Sequence, residues 1–307
     1  MAGALLLIAA LVALPAAALA AEPIGVVTEL HLKSGRVEMR PAAGGDWQPV
    51  RPLLAIAPGD QLRAVGPARA VLVFVGSAGT RVVTQDNSPF VAAVPSQPGL
   101  SERVRAAVAV LRATPREPTR KELTVRSVRP ASPVVPLSPR DSLVAPDVIT
   151  LEWAGPDTVR YTVRIVGADR RVLWERAEVA RHPVTLTSRD VRLAPGRYRW
   201  ELATPEHGVQ GAGFDVAADD AAARVKAALQ AVDAAGYPPV TAALLRAAAL
   251  TGERFHAGAR RELLAAIAAN PDEPTLRVLL SGVYERTGLG SLAAAEFDRA
   301  DALSRRR

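Results

Sequence analysis

The order of hydrophobic and polar positions divides this chain into two β-rich stretches followed by a helical one. Between about Pro23 and Val94, short β-branched runs such as "GVVTELHL", "GRVEMR" and "ARAVLVFV" are separated by Gly, Pro and Asp. In "GRVEMR", Val37 and Met39 alternate with charged residues, which predicts one buried and one solvated face. We therefore expect a small all-β domain over 22–95. The run "ARAVLVFV" has too many consecutive apolar residues for an exposed edge and should form a central strand.

Alternation returns more strictly over residues 144–218. In "RYTVRI" and "GRYRWEL" every second residue is apolar, which is typical of antiparallel strands that turn one face to a core. With "ITLEW", "RVLWE", "PVTLT" and "GAGFDV", the pattern gives about seven short strands, the size of a two-sheet sandwich.

The segment between the two β regions, 96–143, predicts a short helix followed by a linker rich in Pro and Arg. Its prolines stand at positions 115, 118, 130, 133, 136 and 139. Because repeated prolines exclude a regular helix or a central strand, we expect an extended tether. Its excess of basic residues fits a solvated linker, or one that lies along an anionic polymer or a membrane.

The remainder, 219–307, has helical periodicity. The first predicted helix covers 219–235, with acidic residues at its start and Gly236 after its end. Four further helices are predicted, over 238–251, 254–269, 273–287 and 290–304. The acidic pairs Asp219-Asp220 and Asp272-Glu273 stand at predicted helix starts, where negative charge complements the helix dipole, so they need no catalytic explanation.

The first 21 residues predict a signal peptide. An apolar core is broken by Pro15 and runs into small residues, with cleavage expected near Ala20/Ala21. No Lys or Arg precedes the core, which leaves an uncleaved anchor as an alternative. No later segment is apolar enough to predict a transmembrane helix. The periplasm, or secretion, is the expected location, and the absence of Cys excludes thiol catalysis and Cys-ligated zinc.

Composition adds few functional candidates. The net charge of +7 comes without clustered Lys/Arg and interleaved aromatics, so no nucleic-acid partner is expected. The four histidines, His31, His182, His207 and His256, have no metal-binding spacing, and no serine elbow or phosphate loop is present. Asp60, in "IAPGDQLRAV", fits a turn residue. We expect no catalytic residue, no cofactor and no metal, and thus no enzyme; a peptidoglycan hydrolase would need carboxylates that converge in a cleft.

Three resemblances refine this picture. A repeat of about 34 residues aligns position 240 with 274. The second copy carries Leu280, Tyr284, Gly288, Ala293, Phe297 and Ala300, and the first carries Ala247, Leu250, Ala259, Leu263, Ala266 and Pro271. In both copies these are the places where tetratricopeptide repeats have their packing residues. The resemblance implies a groove for a peptide or protein partner; a helical cap on the sandwich is the alternative.

In the middle domain, "LAPGRYRWEL" resembles a loop and strand of fibronectin type III or immunoglobulin-like modules, with Tyr198 and Trp200 in the core. The first domain resembles the FecR-like periplasmic domain. That resemblance rests on Gly25-Val26-Val27, Gly35-Arg36-Val37, Trp47, Gly59-Asp60 and Ala70–Phe74, although the sequence has Gly76-Ser77-Ala78-Gly79 where the family has Asp-Gly-Ser.

The sequence thus predicts a multidomain protein: an all-β FecR-like domain, a linker, a β-sandwich and all-α tetratricopeptide-like hairpins. The expected function is that of an exported, non-catalytic envelope scaffold. It would bind a protein partner through the helical region, with Arg277 and Tyr284 as candidate contacts, and a glycan or other anionic envelope component as a second ligand. The alternative is a FecR-like signal-transducing regulator held by an uncleaved N-terminal helix.

Overall fold

The structure is a computed structural model that describes residues 22–75, 80–93, 102–114, 134–180 and 183–305. The predicted signal segment with its cleavage site, the turn at 76–79, the tether from 115 to 133 and His182 lie outside the described residues. Within those residues, β-sheets dominate the first two thirds of the chain and helices the last third, as the patterns predicted. No helix among them combines the length and the hydropathy needed to cross a bilayer.

Two four-stranded sheets form the first β domain. Their orders are β4-β1-β6-β7 and β3-β2-β5-β8. The strands are β1 (Gly25–His31), β2 (Arg36–Arg40), β3 (Gln48–Pro49), β4 (Ala55–Ile56), β5 (Gln61–Val65), β6 (Arg69–Phe74), β7 (Thr80–Val83) and β8 (Phe90–Val91). Strand β6, which contains most of "ARAVLVFV", lies between β1 and β7, so its predicted central position is confirmed. Leu62, Leu72 and Phe74 join the two sheets in one core.

Asp60 is a turn residue, as predicted. Gly59 has a φ of +84°, a backbone conformation that favours glycine, and Asp60 follows it at the start of β5. The Asp60 carboxylate accepts hydrogen bonds from the backbone amides of Ala42, at 3.0 Å, and Ala57, at 2.8 Å. The buried carboxylate therefore joins two loops of the domain.

The second β domain is a sandwich of a five-stranded sheet, β10-β16-β15-β12-β13, and a three-stranded sheet, β14-β11-β9. The strands are β9 (Val135–Ser138), β10 (Leu143–Val144), β11 (Val148–Ala154), β12 (Tyr161–Val166), β13 (Val172–Val179), β14 (Val184–Thr187), β15 (Gly196–Thr204) and β16 (Gly208–Val216). Trp153 and Trp200 fill the space between the sheets. Strand β9 lies inside the range that the prolines marked as linker; Pro136 fits there because β9 is an edge strand.

The described residues contain six helices: α1 (Glu102–Ala113), α2 (Asp219–Ala234), α3 (Pro239–Gly252), α4 (His256–Ala269), α5 (Pro274–Arg286) and α6 (Gly290–Arg305). The last five agree closely with the predicted ranges, and Gly236, with a φ of +65°, follows the end of α2. Helices α3 and α5 are buried along most of their length. Val26, Leu53 and Val73 of the first β domain, together with α1, belong to the same core as these helices.

Candidate functional site at the ends of two helices

Helices α3 and α5 both begin at the first β domain and end at the sandwich. At each helix start, a buried glutamate connects the helix to strand β1. Beyond each helix end, donors from residues 140–143 bind the carbonyl groups of Arg254, which follows the C-cap of α3, and of Thr287, the C-cap of α5. The ends of a helix carry backbone groups without partners inside the helix, so both β domains attach where the helices need partners.

Glu29 of β1 binds the start of α3. Its Oε1 accepts hydrogen bonds from Thr241 Oγ1, at 2.6 Å, and from the Thr241 backbone amide, at 3.2 Å. Thr28 Oγ1 lies 3.1 Å from the same threonine hydroxyl. A strand in one domain thus supplies the carboxylate that a capping residue would otherwise supply within the helix.

Glu273 serves the start of α5 and also reaches β1. It is the N-cap residue of α5, and its Oε1 accepts from the Thr275 amide, at 3.1 Å, and from Thr275 Oγ1, at 2.6 Å. The backbone amide of Leu30 in β1 donates to both Glu273 oxygens, at 3.2 and 3.3 Å. One carboxylate therefore caps a helix and fixes a strand from another domain.

An irregularity in β1 makes this arrangement possible. The register between β1 and β6 shifts between Val27 and Glu29, which marks a β-bulge. Side chains of consecutive strand residues normally point to opposite faces. Here Thr28 and Glu29 both reach Thr241, and both are buried.

Burial and hydrogen bonding set opposite pKa shifts for the two glutamates. Burial raises the pKa of Glu273 to about 7, although the donors on Thr275 and Leu30 and the nearby His31 oppose this shift. Burial also raises the pKa of Glu29, but hydrogen bonds from His31 and Thr241 outweigh it, so the net pKa of Glu29 is below its usual value. His31 Nε2 lies 3.1 Å from Glu29 Oε2.

A cavity of about 460 Å³ borders this cluster, and its lining includes His31, Lys33, Glu273 and Leu303. A carboxyl group with a pKa near 7 beside a cavity has the chemistry of a general acid. Both Glu273 oxygens, however, already accept hydrogen bonds from Thr275 or Leu30. The arrangement therefore works as a clamp between β1 and α5. Within the described ranges, no group of three or more His, Asp or Glu is placed to hold a metal ion.

The opposite ends of the two helices face the sandwich. The Leu143 amide donates to the carbonyl of Arg254, just after α3, at 2.9 Å. Arg140 Nε donates to the carbonyl of Thr287, just after α5, at 2.7 Å. Donors and positive charge suit these ends, because the helix dipole places its negative end there.

A side-chain ion pair adds a second contact between the sandwich and the helices. Arg260 of α4 binds Glu152 of β11 through Nη1, and both side chains are largely buried. A cavity of about 350 Å³ lies between the sandwich and helices α2 and α4. Apolar side chains line most of it, including Val144, Leu229 and Phe255.

The two residues predicted to bind a partner are engaged inside the helical region. Tyr284 is only 6% exposed, and its ring centroid lies 5.9 Å from Cζ of Arg260. Arg277 pairs with Glu296 at 2.8 Å, and its side chain is 16% exposed. Both side chains contact other helices of the same region, since Arg277 binds Glu296 of α6 and Tyr284 lies against Arg260 of α4, so the structure does not place the two side chains together on an open surface. Partner binding by these two residues stays a prediction.

The sequence also singled out the acidic pair at the start of α2 and His256, and the structure shows what surrounds them. Asp219 and Asp220 lie in the first turn of α2, and Asp220 pairs with Arg224 at 2.8 Å. Burial first, and then the charges of Arg286 and Arg254, lower the pKa of His256 to about 4. His256 is therefore neutral at pH 7.

Sequence reasoning missed Glu29 as a functional residue. A signal was present, because Glu29 is the only acidic residue in the apolar run "GVVTELHL". A lone carboxylate in a strand of buried residues needs a partner, and that partner lies in a helix 212 residues further along. Arg260 and Arg140 were also missed, since they stand among many similar arginines.

Comparison with known proteins gives no family. No family model matches the chain, and no curated protein matches it. Among solved structures, CopC from Methylosinus trichosporium OB3b is 15% identical with a TM-score of 0.21; the match covers 27% of this chain and 92% of CopC. A Salmonella alpha-2-macroglobulin mutant is 12% identical with a TM-score of 0.24, over 64% of this chain and 12% of its own. Scores this low carry no argument about function.

Proposed function

We propose that this protein is an exported, non-catalytic scaffold of the bacterial cell envelope that binds its ligand through its β domains. Its parts would be a FecR-like domain, an immunoglobulin-like or fibronectin type III-like sandwich, and a tetratricopeptide-like helical region that holds the other two. The signal-like N-terminus supports export. The starts of α3 and α5 lie 35 residues apart and their ends lie 34 apart, close to the 34-residue period, which supports the repeat assignment.

One observation carries the scaffold proposal: the same two helices attach one β domain at their starts and the other at their ends. Helix α3 has 14 residues and α5 has 13, so each spans about 20 Å at 1.5 Å per residue. Two side-by-side helices of nearly equal length fix both the separation and the orientation of the β domains. Helix α1 packs on α3, and β1 packs on α3 and α5. In the proposed arrangement these contacts take the place of a peptide bound to a tetratricopeptide array.

The rigid spacing is open to a distance measurement, because the chain contains no cysteine to interfere with labelling. Spin labels at A43C and E206C place one probe on an exposed loop of each β domain. We expect pulsed electron resonance on residues 22–307 to give one narrow distance distribution, and E29A/E273A to broaden it. A broad distribution in the parent chain would contradict the scaffold.

Binding without catalysis is tested on envelope material. Purified residues 22–307 are mixed with peptidoglycan sacculi, with an anionic envelope polysaccharide or with outer-membrane vesicles, and the bound fraction is measured by sedimentation. We expect saturable binding to one of these, whose size distribution stays unchanged after long incubation. Shortening of the polymer would show a hydrolase, and no binding to any of the three would remove the proposal.

A further inference from the structure

The outer face of one sheet in the first β domain carries a set of arginines that the clamp does not use. On β2, Arg36, Glu38 and Arg40 alternate with the buried Val37 and the half-buried Met39. The neighbouring strand β5 presents Gln61 and Arg63 between its buried residues. In the register of the two strands, Glu38 lies opposite Arg63 and Arg40 lies opposite Gln61. Directly opposed side chains in antiparallel strands are close enough to interact.

Glu38 holds two of these arginines in fixed positions. It accepts hydrogen bonds from Arg36 Nε, at 2.9 Å, and from Arg63 Nε, at 2.8 Å. Burial raises the pKa of Glu38, but the hydrogen bonds and charges of the two arginines outweigh it and keep the pKa below its usual value. Because Glu38 takes the Nε atoms, the Nη groups of both guanidinium groups remain free to bind a ligand. Their side chains are 62% and 35% exposed.

Trp47 completes the face. Its ring centroid lies 4.2 Å from Cζ of Arg63 and 4.9 Å from Cζ of Arg40, within the range of cation–π attraction. Arg40 Nη2 also donates to Gln61 Oε1 at 2.6 Å. The indole and the guanidinium groups therefore support each other as one rigid cluster, Arg36, Glu38, Arg40, Trp47, Gln61 and Arg63, which we call the arginine platform.

The charge of the platform selects an anion. Three arginines face one carboxylate, Glu38, so the platform has an excess of positive charge. Asp46, next to Trp47 in sequence and exposed, reduces this excess but has no ion pair with these arginines among the described contacts. Guanidinium groups that are already oriented bind carboxylate or phosphate through two parallel hydrogen bonds at a low entropic cost.

The polar, aromatic and apolar groups on and around the platform narrow the class of ligand further. The oxygens of Gln61 and Glu38 already accept hydrogen bonds from Arg40, Arg36 and Arg63, so the platform offers a ligand mainly donors, which suit the carboxylate and hydroxyl oxygens of a sugar. Binding of single-stranded nucleic acid needs several stacking aromatics, whereas this platform has one. A membrane surface would favour clustered exposed apolar side chains, whereas Val91 is the single large exposed apolar residue on the adjacent strand β8.

We propose that the arginine platform binds an acidic polysaccharide, with sugar carboxylates on the guanidinium groups of Arg36, Arg40 and Arg63 and a sugar ring against Trp47. The residues alternate along β2 and β5, so an extended chain that follows the strands meets these groups in succession. The identity of the occupant rests on the proposed binding function, while the geometry of the platform does not.

The test uses residues 22–307 and two probes of equal length: polygalacturonate, which is acidic, and dextran, which is neutral. Calorimetric titration at low salt should give binding to polygalacturonate only, weakened by added salt. R63A should weaken this affinity by about tenfold or more, because it removes one oriented guanidinium and loosens Trp47. W47A should weaken it by a smaller factor.

Arg164 supplies a matched control. It lies on β12 and pairs across strands with Glu175 at 2.5 Å, so R164A removes the same charge and the same kind of pair without an aromatic neighbour. We expect R164A to leave the affinity within about twofold. Thermal unfolding of each variant separates a lost ligand contact from a lost fold, and R63K should retain intermediate affinity.

Several outcomes would overturn the platform. Equal binding of dextran and polygalacturonate, or equal effects of R63A and R164A, would show that these arginines do not select the ligand. Single-stranded DNA or phosphatidylglycerol vesicles that bind more tightly than polygalacturonate and respond to R63A would identify another ligand class. If sacculi or vesicles bind the parent and R63A alike, the platform fails while the proposed function stands. Binding to no probe and no envelope fraction removes both.

Discussion

The two ends of α3 and α5 hold two β domains by opposite chemistry. At the helix starts, Glu29 and Glu273 are 4% and 3% exposed, and they accept hydrogen bonds from amides and threonine hydroxyls. At the helix ends, the Leu143 amide and the Arg140 guanidinium donate to carbonyl groups. At the start of α3 the β domain itself brings the acceptor, Glu29, whereas at the start of α5 the helix cap Glu273 accepts from the Leu30 amide of β1. At both helix ends the sandwich brings donors, which suit the negative end of the helix dipole.

Because of this difference, the two ends of the helices should respond differently to substitution and to pH. Removal of an acceptor at the helix starts leaves several buried donors unpaired, and the buried carboxylates titrate. The contacts at the helix ends use backbone amides and arginine, which keep their protonation state at all physiological pH values. The four predictions below probe one end against the other, in order of decreasing effect.

The substitution E273A should have the largest effect. It leaves the amides of Leu30 and Thr275 without their acceptor in a buried setting, and we expect a loss of about 3–4 kcal/mol in the free energy of unfolding. Urea denaturation measures it. E273Q, which keeps an acceptor oxygen, should recover part of the loss; equal losses for both variants would contradict a capping role.

A change of pH should alter the stability that the contacts at the helix starts contribute, and leave the contribution of the helix ends unchanged. Because the pKa of Glu273 is raised to about 7, the folded protein holds this proton between pH 4.5 and 7 where the unfolded chain has lost it. The contribution of this group to stability is therefore full below pH 4.5 and falls as the pH rises through 7. The change should be about 3 kcal/mol, since one pH unit of displacement corresponds to about 1.4 kcal/mol.

Denaturation at several pH values, with the parent and E273Q side by side, checks this trend. The downward slope between pH 4.5 and 7 should be absent in E273Q. Glu29 has the opposite sign, because its lowered pKa gives stability that is present above pH 4.5 and lost in more acidic solution. The same slope in both proteins would assign it to another group.

Loss of the ion pair at the sandwich should have an intermediate effect. E152A leaves Arg260 largely buried without its carboxylate, and we expect a destabilisation of about 2–3 kcal/mol. The double variant E152L/R260M, which replaces the pair by apolar side chains, should be less destabilised than E152A. If E152A matches the parent, the pair contributes nothing at this interface.

The smallest effect is expected for R140A. It removes one charge-assisted hydrogen bond to the Thr287 carbonyl, worth about 1–1.5 kcal/mol, and water can replace the lost donor because Arg140 is only half-buried. Hydrogen exchange should show faster opening at the end of α5 and no change at β1. Faster exchange at β1 as well would mean that the two ends are energetically coupled.

The elements themselves were largely readable from the sequence. Helix periodicity predicted the helical ranges, and Gly236, whose φ is positive in the structure, marked the end of α2. The alternation in β12 and β15 predicted two strands of the sandwich. Strand β9 was not foreseen, because its prolines favour a linker and only its pairing with β11 makes it a strand. Local patterns determine local structure, whereas β9 depends on a distant partner.

The sequence predicted only part of the clamp between β1 and α5. The sequence placed Glu273 at a predicted helix start, where negative charge suits the dipole, and the structure makes it the N-cap of α5. Its second partner, Leu30, lies 243 residues away in sequence, and no periodicity encodes such a contact. The repeat pattern placed Tyr284 at a packing position, and the side chain is buried in the structure.

The nearly equal lengths of α3 and α5 have a consequence for how this architecture can change. One added turn would lengthen a helix by about 5.4 Å. If only one helix gained a turn, one β domain would lose its hydrogen bonds either at the start or at the end of that helix. Insertions are therefore expected only as matched pairs, one in each hairpin. The two helices together set the distance between the β domains, and this distance can change only when both helices change length at the same time.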